Sequence, residues 1–252
     1  MSDRATGTLR LDCLGSGNAF SHGQYWSGFL LDGRILLDCP PQTLAHLHKL
    51  DVTVDALDLV LLTHQHADHI LGMDLLLLEA TAGESRRQDS STRIVGPPGI
   101  YDRVRGIVGG SSRLPDRSDV RLPWSEQAGE TRIDVRVADG GGDIGIECVE
   151  VDHVPQFTSL GYRIRVGGKL VAYTGDTKIC DAVYELADGA DLLIAECGGG
   201  PPHMDWPDIF ALREALPTST AMLITHYDRR RAPDVSAIDG LTLAEDFASY
   251  EV

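Results

Sequence analysis

Nothing in this chain is long and apolar enough to cross a bilayer. The densest apolar stretch, from Leu57 to Leu62, is strand-sized, is interrupted by Asp58 and stops at Thr63. The N-terminus, Met1 to Arg10, is polar and lacks the apolar centre of a secretory leader, so a cytoplasmic location is expected. Cysteine is scarce and scattered. The five thiols, Cys13, Cys39, Cys148, Cys180 and Cys197, are odd in number and form no CxxC, which argues against a disulfide framework and for reduced, mostly buried thiols. Positive charge is also short: 22 Lys and Arg stand against 38 Asp and Glu, a net charge of −16. Such a surface repels phosphate backbones at long range. It does not bar a small anionic substrate that meets a local cationic field first.

Internal repeats, low-complexity tracts and linkers are absent as well. What is present is 252 residues, 42% of them hydrophobic, enough for one substantial core, and the chain is read as a single domain over residues 1–252. Short strands and turns alternate with helices. "TLRLDCLGSG" reads as a strand ending in a glycine turn, and "GFLLDGRILLDCP" as a hairpin around Asp32-Gly33. "PQTLAHLHKL" reads as an amphipathic helix, "LDLVLLTH" as a buried strand, and "GMDLLLLEATAG" as a helix with little polar face, either buried or an interface. Gly83 to Arg93 and Gly109 to Arg121 read as surface loops. In the second half, "IECVEVDH" alternates as a strand. "LGYRIRVGGKLVAYTGDT" reads as a hairpin with Gly167-Gly168 at its tip. "YELADGADLLIAEC" and "PDIFALREALPTSTAMLITHYD" each read as a helix followed by a strand. Frequent hairpins among alternating helices and strands suggest two mixed sheets packed face to face with helices outside, an α/β architecture.

The chemistry is concentrated in "THQHADH", where His64, His66, Asp68 and His69 directly follow an apolar strand. A strand emptying into a short loop lets four ligating side chains point into one space. Imidazole and carboxylate together suit zinc, manganese or iron. Three more such residues end apolar runs: His153 after "IECVEVD", Asp176 after "LVAYTG", and His226 after "AMLIT". Taken singly, His153 also reads as a turn residue, Asp176 as a helix cap and His226 as a satisfied buried histidine. Taken with the first motif they make seven ligands, enough for two divalent metal ions. Those would bring the net charge only to about −12.

The order HxHxDH, His, Asp, His resembles the metallo-β-lactamase superfamily, and within it the ribonuclease Z branch. "LGSGNAF", "THQHADHILG", "IVGPPGI", "SLGYRI", "YTGDT" and "HYD" carry the resemblance, which runs from about Leu9 to Asp228. It implies a four-layer αββα sandwich. It also implies that His64, His66 and His153 hold one metal, that Asp68, His69 and His226 hold the other, and that Asp176 bridges them. Asp176 stands where class B1 β-lactamases carry a cysteine. The diiron flavoprotein branch would need a carboxylate in place of His66, so antibiotic hydrolysis and redox chemistry are both disfavoured.

A two-metal centre of this kind holds a hydroxide between the ions and clamps phosphoryl oxygens during in-line attack. Asp68 is expected to orient that nucleophile and accept its proton. His203, in "GGGPPHMDW", is the expected general acid, with Asp205 a candidate to hold its ring. The segment departs from the branch there, since Met204-Asp205 follow the histidine where Ser-Thr is usual, and an exposed loop histidine is the plain alternative. His46 and His48 are expected at the surface. Tyr25 and Trp26, beside His22, suit base stacking or core anchoring equally.

Ribonuclease Z proper trims precursor tRNA with a long arm inserted between the GYR strand and the strand leading to the GDT aspartate. Here "GYRIRVGGKLVAYTGDT" joins the two through a tight turn, and the charge of −16 also disfavours tRNA. The resemblance therefore points to the arm-less set of small-substrate phosphodiesterases, with a cyclic nucleotide as first choice. The alternatives are a thioester or lactone hydrolase on the same metals, a ribonuclease Z-type tRNA 3′ endonuclease, and a non-catalytic metal-stabilised interaction domain. The branch commonly dimerises through helices after HxHxDH, so "GMDLLLLEATAG" suggests a homodimer.

Overall fold

A computed structural model describes residues 8–82, 92–108, 122–136 and 143–252. Two seven-stranded sheets lie face to face. The first is ordered β14-β1-β2-β3-β4-β5-β6. Its strands are β1 (Arg10–Gly15), β2 (Gly28–Leu31), β3 (Ile35–Leu37), β4 (Leu59–Leu61), β5 (Arg93–Gly96), β6 (Trp124–Glu126) and β14 (Ser249–Glu251). The second is ordered β13-β12-β11-β10-β9-β8-β7. It comprises β7 (Thr131–Arg136), β8 (Asp143–Val151), β9 (Ser159–Val166), β10 (Lys169–Tyr173), β11 (Leu192–Glu196), β12 (Ala221–Thr225) and β13 (Leu241–Leu243). Helices α1 (Thr43–Lys49), α3 (Met73–Ala82) and α4 (Ile100–Val108) cover the first sheet, while α5 (Asp181–Ala187) and α6 (Trp206–Ala215) cover the second. A single-turn helix, α2 (Ala67–Ile70), precedes α3. This is the αββα sandwich expected from the sequence.

The period-two alternation of the strands builds the layers. Leu59 and Leu61 of β4 face the core between the sheets with Phe29, Leu37, Tyr162 and Ile194, while Val60 and Leu62 face α1, α3 and α4. In β10, Val171 and Tyr173 point to the central core, and Leu170 and Ala172 to the α5–α6 side. The central strands of both sheets are buried on both faces, so they read as nearly continuous apolar runs.

The hairpins stand where the sequence puts them. Asp32 and Gly33 turn with φ of 53° and 66° within the three-residue connection 32–34, and Gly167 and Gly168 with 57° and 80°, the latter being the left-handed pair of a two-residue hairpin. Both expected surface loops, Gly83 to Arg93 and Gly109 to Arg121, lie largely outside the described residues; at the margin of the first, Arg93 opens β5. All five thiols are free, four of them buried.

The ends of β3, β4, β8, β10, β11 and β12 carry the chemistry. Strands β3 and β4 run parallel, as do β10, β11 and β12, and β8 shares their direction through two antiparallel steps. Their C-terminal ends therefore meet along one edge of the sandwich. The sheets are laced together there: Leu160 N–H donates to Thr63 O at 2.9 Å and Tyr162 Oη to Leu62 O at 2.7 Å. Gly175, at φ 58°, sits where a Cβ would fall 2.7 Å from Thr63 Cβ. Only glycine lets the end of β10 approach the end of β4 this closely, and that approach sets Asp176 beside His64.

Candidate metal centre

Seven side chains from four loops converge at this edge. His64 and His66 leave β4, Asp68 and His69 come from α2, His153 follows β8, Asp176 follows β10, and His226 follows β12. Among the described residues, donor atoms of His64, His66, His153 and Asp176 all lie within 4.8 Å of one another, as do those of Asp68, His69 and His226. His64 Nε2 faces His66 Nδ1 at 2.9 Å, and His153 Nε2 faces the same atom at 3.2 Å. Asp176 stands between the two groups. Its Oδ2 is 3.7 Å from His64 Nε2 and 3.4 Å from His226 Nε2, and its Oδ1 is 3.4 Å from His69 Nε2. Asp68 Oδ2 is 3.4 Å from His226 Nε2.

Two observations fit this set to cations. His69 Nε2 and Asp176 Oδ1 are buried and face each other at 3.4 Å without a well-formed hydrogen bond, an arrangement costly for polar atoms unless something else satisfies them. The electrostatics agree. Burial pushes His64, His66 and His153 below the ordinary imidazole range, which keeps them in the neutral form that coordinates metal. Burial also opposes charge on His69, but Asp176, Asp38 and Asp68 outweigh it and drive that ring well up. Burial opposes charge on Asp176 too, and His226 and His69 overcome it to hold the carboxyl well below its usual range. A buried pocket that draws positive charge so strongly suits a divalent ion.

The rings are fixed from behind. His153 Nδ1 donates to Pro202 O at 2.8 Å, which leaves Nε2 for the centre. His64 Nδ1 meets Thr63 Oγ1 at 2.9 Å. His69 Nδ1 donates to Asp38 Oδ2 at 2.8 Å. Asp38 is fully buried and also accepts from Tyr173 Oη at 2.7 Å and Thr63 N–H at 2.8 Å. It has φ of 57°, and His226 has φ of 55°, uncommon for residues with a Cβ and typical of positions where function holds the backbone.

His203 comes to the same place. Its Nδ1 lies 3.8 Å from Asp176 Oδ2, and its ring stacks on His226 at 5.2 Å between centroids. Its partner corrects the expectation from sequence. Asp205 caps α6, accepting from Trp206 N–H at 2.8 Å. The ring is held by Glu196, whose Oε1 accepts from His203 Nδ1 at 2.9 Å. Glu196 and Asp38 are the residues that sequence reasoning missed. Their signal was the one used for Asp176, an acid closing an apolar strand.

Other expectations are corrected or sharpened. His46 is buried, not at the surface, with Nδ1 donating to Leu14 O at 2.7 Å and Tyr25 packed edge-on at 4.5 Å. His48 is exposed, as expected, and meets Glu79 at 3.0 Å. Tyr25 packs against His46 and Phe247 yet stays 44% exposed. Phe157 covers His64 and His66, with centroids 5.8 and 5.1 Å away, and beside it a cleft of about 850 Å³ opens against His153.

Residues 33–227 match the family model described as the beta-lactamase superfamily domain. The chain belongs to the metallo-β-lactamase superfamily. The superfamily is one of metal-dependent hydrolases, and the curated relatives that the chain matches are named ribonuclease Z. The chain is 30% identical over 165 residues to a ribonuclease Z of Mycobacterium bovis, covering 63% of this chain and 58% of the relative. The chain thus spans a little over half the length of the curated relatives it matches. By fold it is similar to the metallo-beta-lactamase fold protein YhfI from Bacillus subtilis, with a TM-score of 0.74 at 20% identity, covering 98% of this chain and 100% of that one. It is also similar to a diphosphatase of the PhnP family, with a TM-score of 0.70 at 19% identity, covering 97% and 98%. No described helix of this superfamily member is long and apolar enough to cross a membrane.

Proposed function

We propose that the chain, acting as one domain, is a metal-dependent phosphodiesterase for a small phosphodiester, with a cyclic nucleotide as first choice. The observation that carries this reading is the convergence of seven His and Asp donors around the buried His69 Nε2 and Asp176 Oδ1. His64, His66 and His153 would hold one divalent ion, Asp68, His69 and His226 a second, with Asp176 shared. Zinc, manganese or iron all suit this donor set. Two such ions supply Lewis acidity that polarises a phosphoryl group and makes water acidic at neutral pH.

The chain's own residues supply the proton traffic. Burial opposes charge on Asp68, yet His69 and His226 overcome it and bring its pKa down to about 2. It is thus anionic at neutral pH and able to accept a hydrogen bond that orients the attacking water. Burial likewise opposes charge on His203, but the hydrogen bond and charge of Glu196 outweigh it and raise its pKa. His203 is therefore suited to give a proton to the departing oxygen.

Small size of substrate is supported by the two-residue turn between β9 and β10, which leaves no room for an arm, and by the charge of −16. A fold neighbour is a diphosphatase of the PhnP family. The second reading, a tRNA 3′ endonuclease, is favoured by relatives named ribonuclease Z. We further propose a cytoplasmic homodimer, formed through the outer face of α3.

The test is one panel on protein loaded with zinc or manganese: bis(p-nitrophenyl) phosphate, cyclic mono- and dinucleotides, thioesters, lactones and precursor tRNA. Turnover of the small phosphodiesters, with poor tRNA cleavage at physiological salt, is expected. Turnover of thioesters or lactones alone, or efficient site-specific trailer removal, would replace the proposal with the corresponding alternative.

A further inference from the structure

The turn Gly198–Gly199–Gly200 borders a cavity of about 460 Å³ outside the His/Asp cluster. A Cβ on Gly198 would fall 2.8 Å from the His203 ring and 3.0 Å from His226 Nδ1. Only glycine backbone therefore separates this cavity from those two rings. Gly199 and Gly200 take φ of 72° and 88°, and a Cβ on Gly200 would meet nothing within 4 Å, so the floor is bare main chain.

Aromatic rings and arginines line much of the rest, beside two acids, Asp205 and Asp228. Phe20 is 87% exposed, yet its loop is tied down: Phe20 N–H donates to Asn18 Oδ1 at 2.9 Å and Ser21 Oγ to Tyr227 O at 3.0 Å. An apolar ring is thus held out toward solvent. Trp206 is half-buried, steadied by Tyr227 and Phe210 at 6.1 and 6.3 Å between centroids. In a chain of net charge −16, three consecutive arginines, Arg229 to Arg231, follow His226 by three residues. Arg230 is committed to Asp228, with a closest contact of 2.7 Å. Arg231 lines the cavity, is exposed, and forms no ion pair among the described residues. The nearby acid Asp205 is occupied in capping α6.

We propose that this cavity is a subsite for the part of the substrate beyond the scissile phosphodiester: an aromatic base against Phe20 and Trp206, and a second phosphate at Arg231. Base–aromatic stacking is tolerant of sequence, and a guanidinium is a natural partner for phosphate. The volume lies in the usual range for small-ligand sites, about 300–1,000 Å³. Its place beside His203 makes its occupant the leaving group. In hydrolysis the P–O bond to that group breaks, water supplies the new P–OH, and His203 protonates the departing oxygen. The catalytic part of this inference rests on the phosphodiesterase reading; the binding part does not. A cyclic dinucleotide, with two phosphates, then fits better than a cyclic mononucleotide, which has one.

Adenosine 5′-monophosphate is the probe, titrated by calorimetry into the full chain stripped of metal by chelator, with inorganic phosphate and adenosine titrated separately. One molecule per chain is expected to bind, about tenfold more tightly than either fragment, and to lose about tenfold in Arg231→Ala and again in Phe20→Ala. Both side chains are exposed, so neither change disturbs the core, and circular dichroism checks this. Affinity no better than that of phosphate alone, or unchanged in either variant, overturns the proposal. Failure of the hydrolase reading shows separately, as no turnover of bis(p-nitrophenyl) phosphate by the metal-loaded wild type even where the nucleotide binds.

Discussion

Asp38 and His69, 31 residues apart, meet in the interior, where His69 Nδ1 donates to Asp38 Oδ2 at 2.8 Å. A carboxylate behind a ligating imidazole fixes its tautomer and its direction. This one also ties the ends of β3, β4 and β10 together through Thr63 and Tyr173.

Asp38→Ala should therefore weaken metal affinity by about 10- to 100-fold. It should also destabilise the fold by about 1–3 kcal/mol, because buried donors lose their acceptor. Competition with a chelator and thermal unfolding of the metal-free protein measure the two effects. Unchanged metal affinity in a destabilised variant would assign Asp38 to the fold alone.

Asp68 lies at the mouth of the cluster, partly accessible, with Oδ2 3.4 Å from His226 Nε2. Asp68→Ala should remove nearly all turnover of bis(p-nitrophenyl) phosphate, while His64, His66 and His153 retain the first ion. Steady-state kinetics on the variant decide this, and a wild-type kcat would refute the two-metal scheme.

His203 and Glu196 make a different prediction, because protonation matters only for a poor leaving group. For an alkyl phosphodiester, His203→Ala should lower kcat by about 10²–10⁴. For p-nitrophenolate, which departs unaided, the loss should be much smaller, and metal content should not change. Equal losses on both substrates, or loss of metal, would mean that His203 binds phosphate or metal. Glu196→Gln should reproduce the same split at reduced size.

The sequence made the layers and the seven donors readable because strand alternation and the spacing of HxHxDH are local signals. Asp38, Glu196 and His46 were not readable, because their roles depend on partners across the fold. Helical spacing alone places His46 at the surface, yet α1 turns it onto Tyr25, Phe247 and Leu14 O. Asp205 and Glu196 were both available as partners for His203. The chain reaches Glu196 because β11 delivers it under the ring, while Asp205 is drawn away to start α6.

Helix α3 divides between a buried and an exposed apolar face. Met73, Leu76 and Leu77 pack on the first sheet's side, while Leu75 and Leu78 remain 49% and 41% exposed. On the homodimer proposed above, Leu75→Glu with Leu78→Glu should convert a dimer to a monomer at micromolar concentration. Light scattering reads this directly. Monomer mass for the wild type would contradict it.

We propose that this His/Asp cluster holds a pair of cations. Elemental analysis of protein purified without chelator, then loaded with zinc or manganese and desalted, tests it most directly. About two transition-metal ions per chain are expected. No bound metal after loading would contradict the claim and, with it, every catalytic role assigned to His64, His66, Asp68, His69, His153, Asp176 and His226.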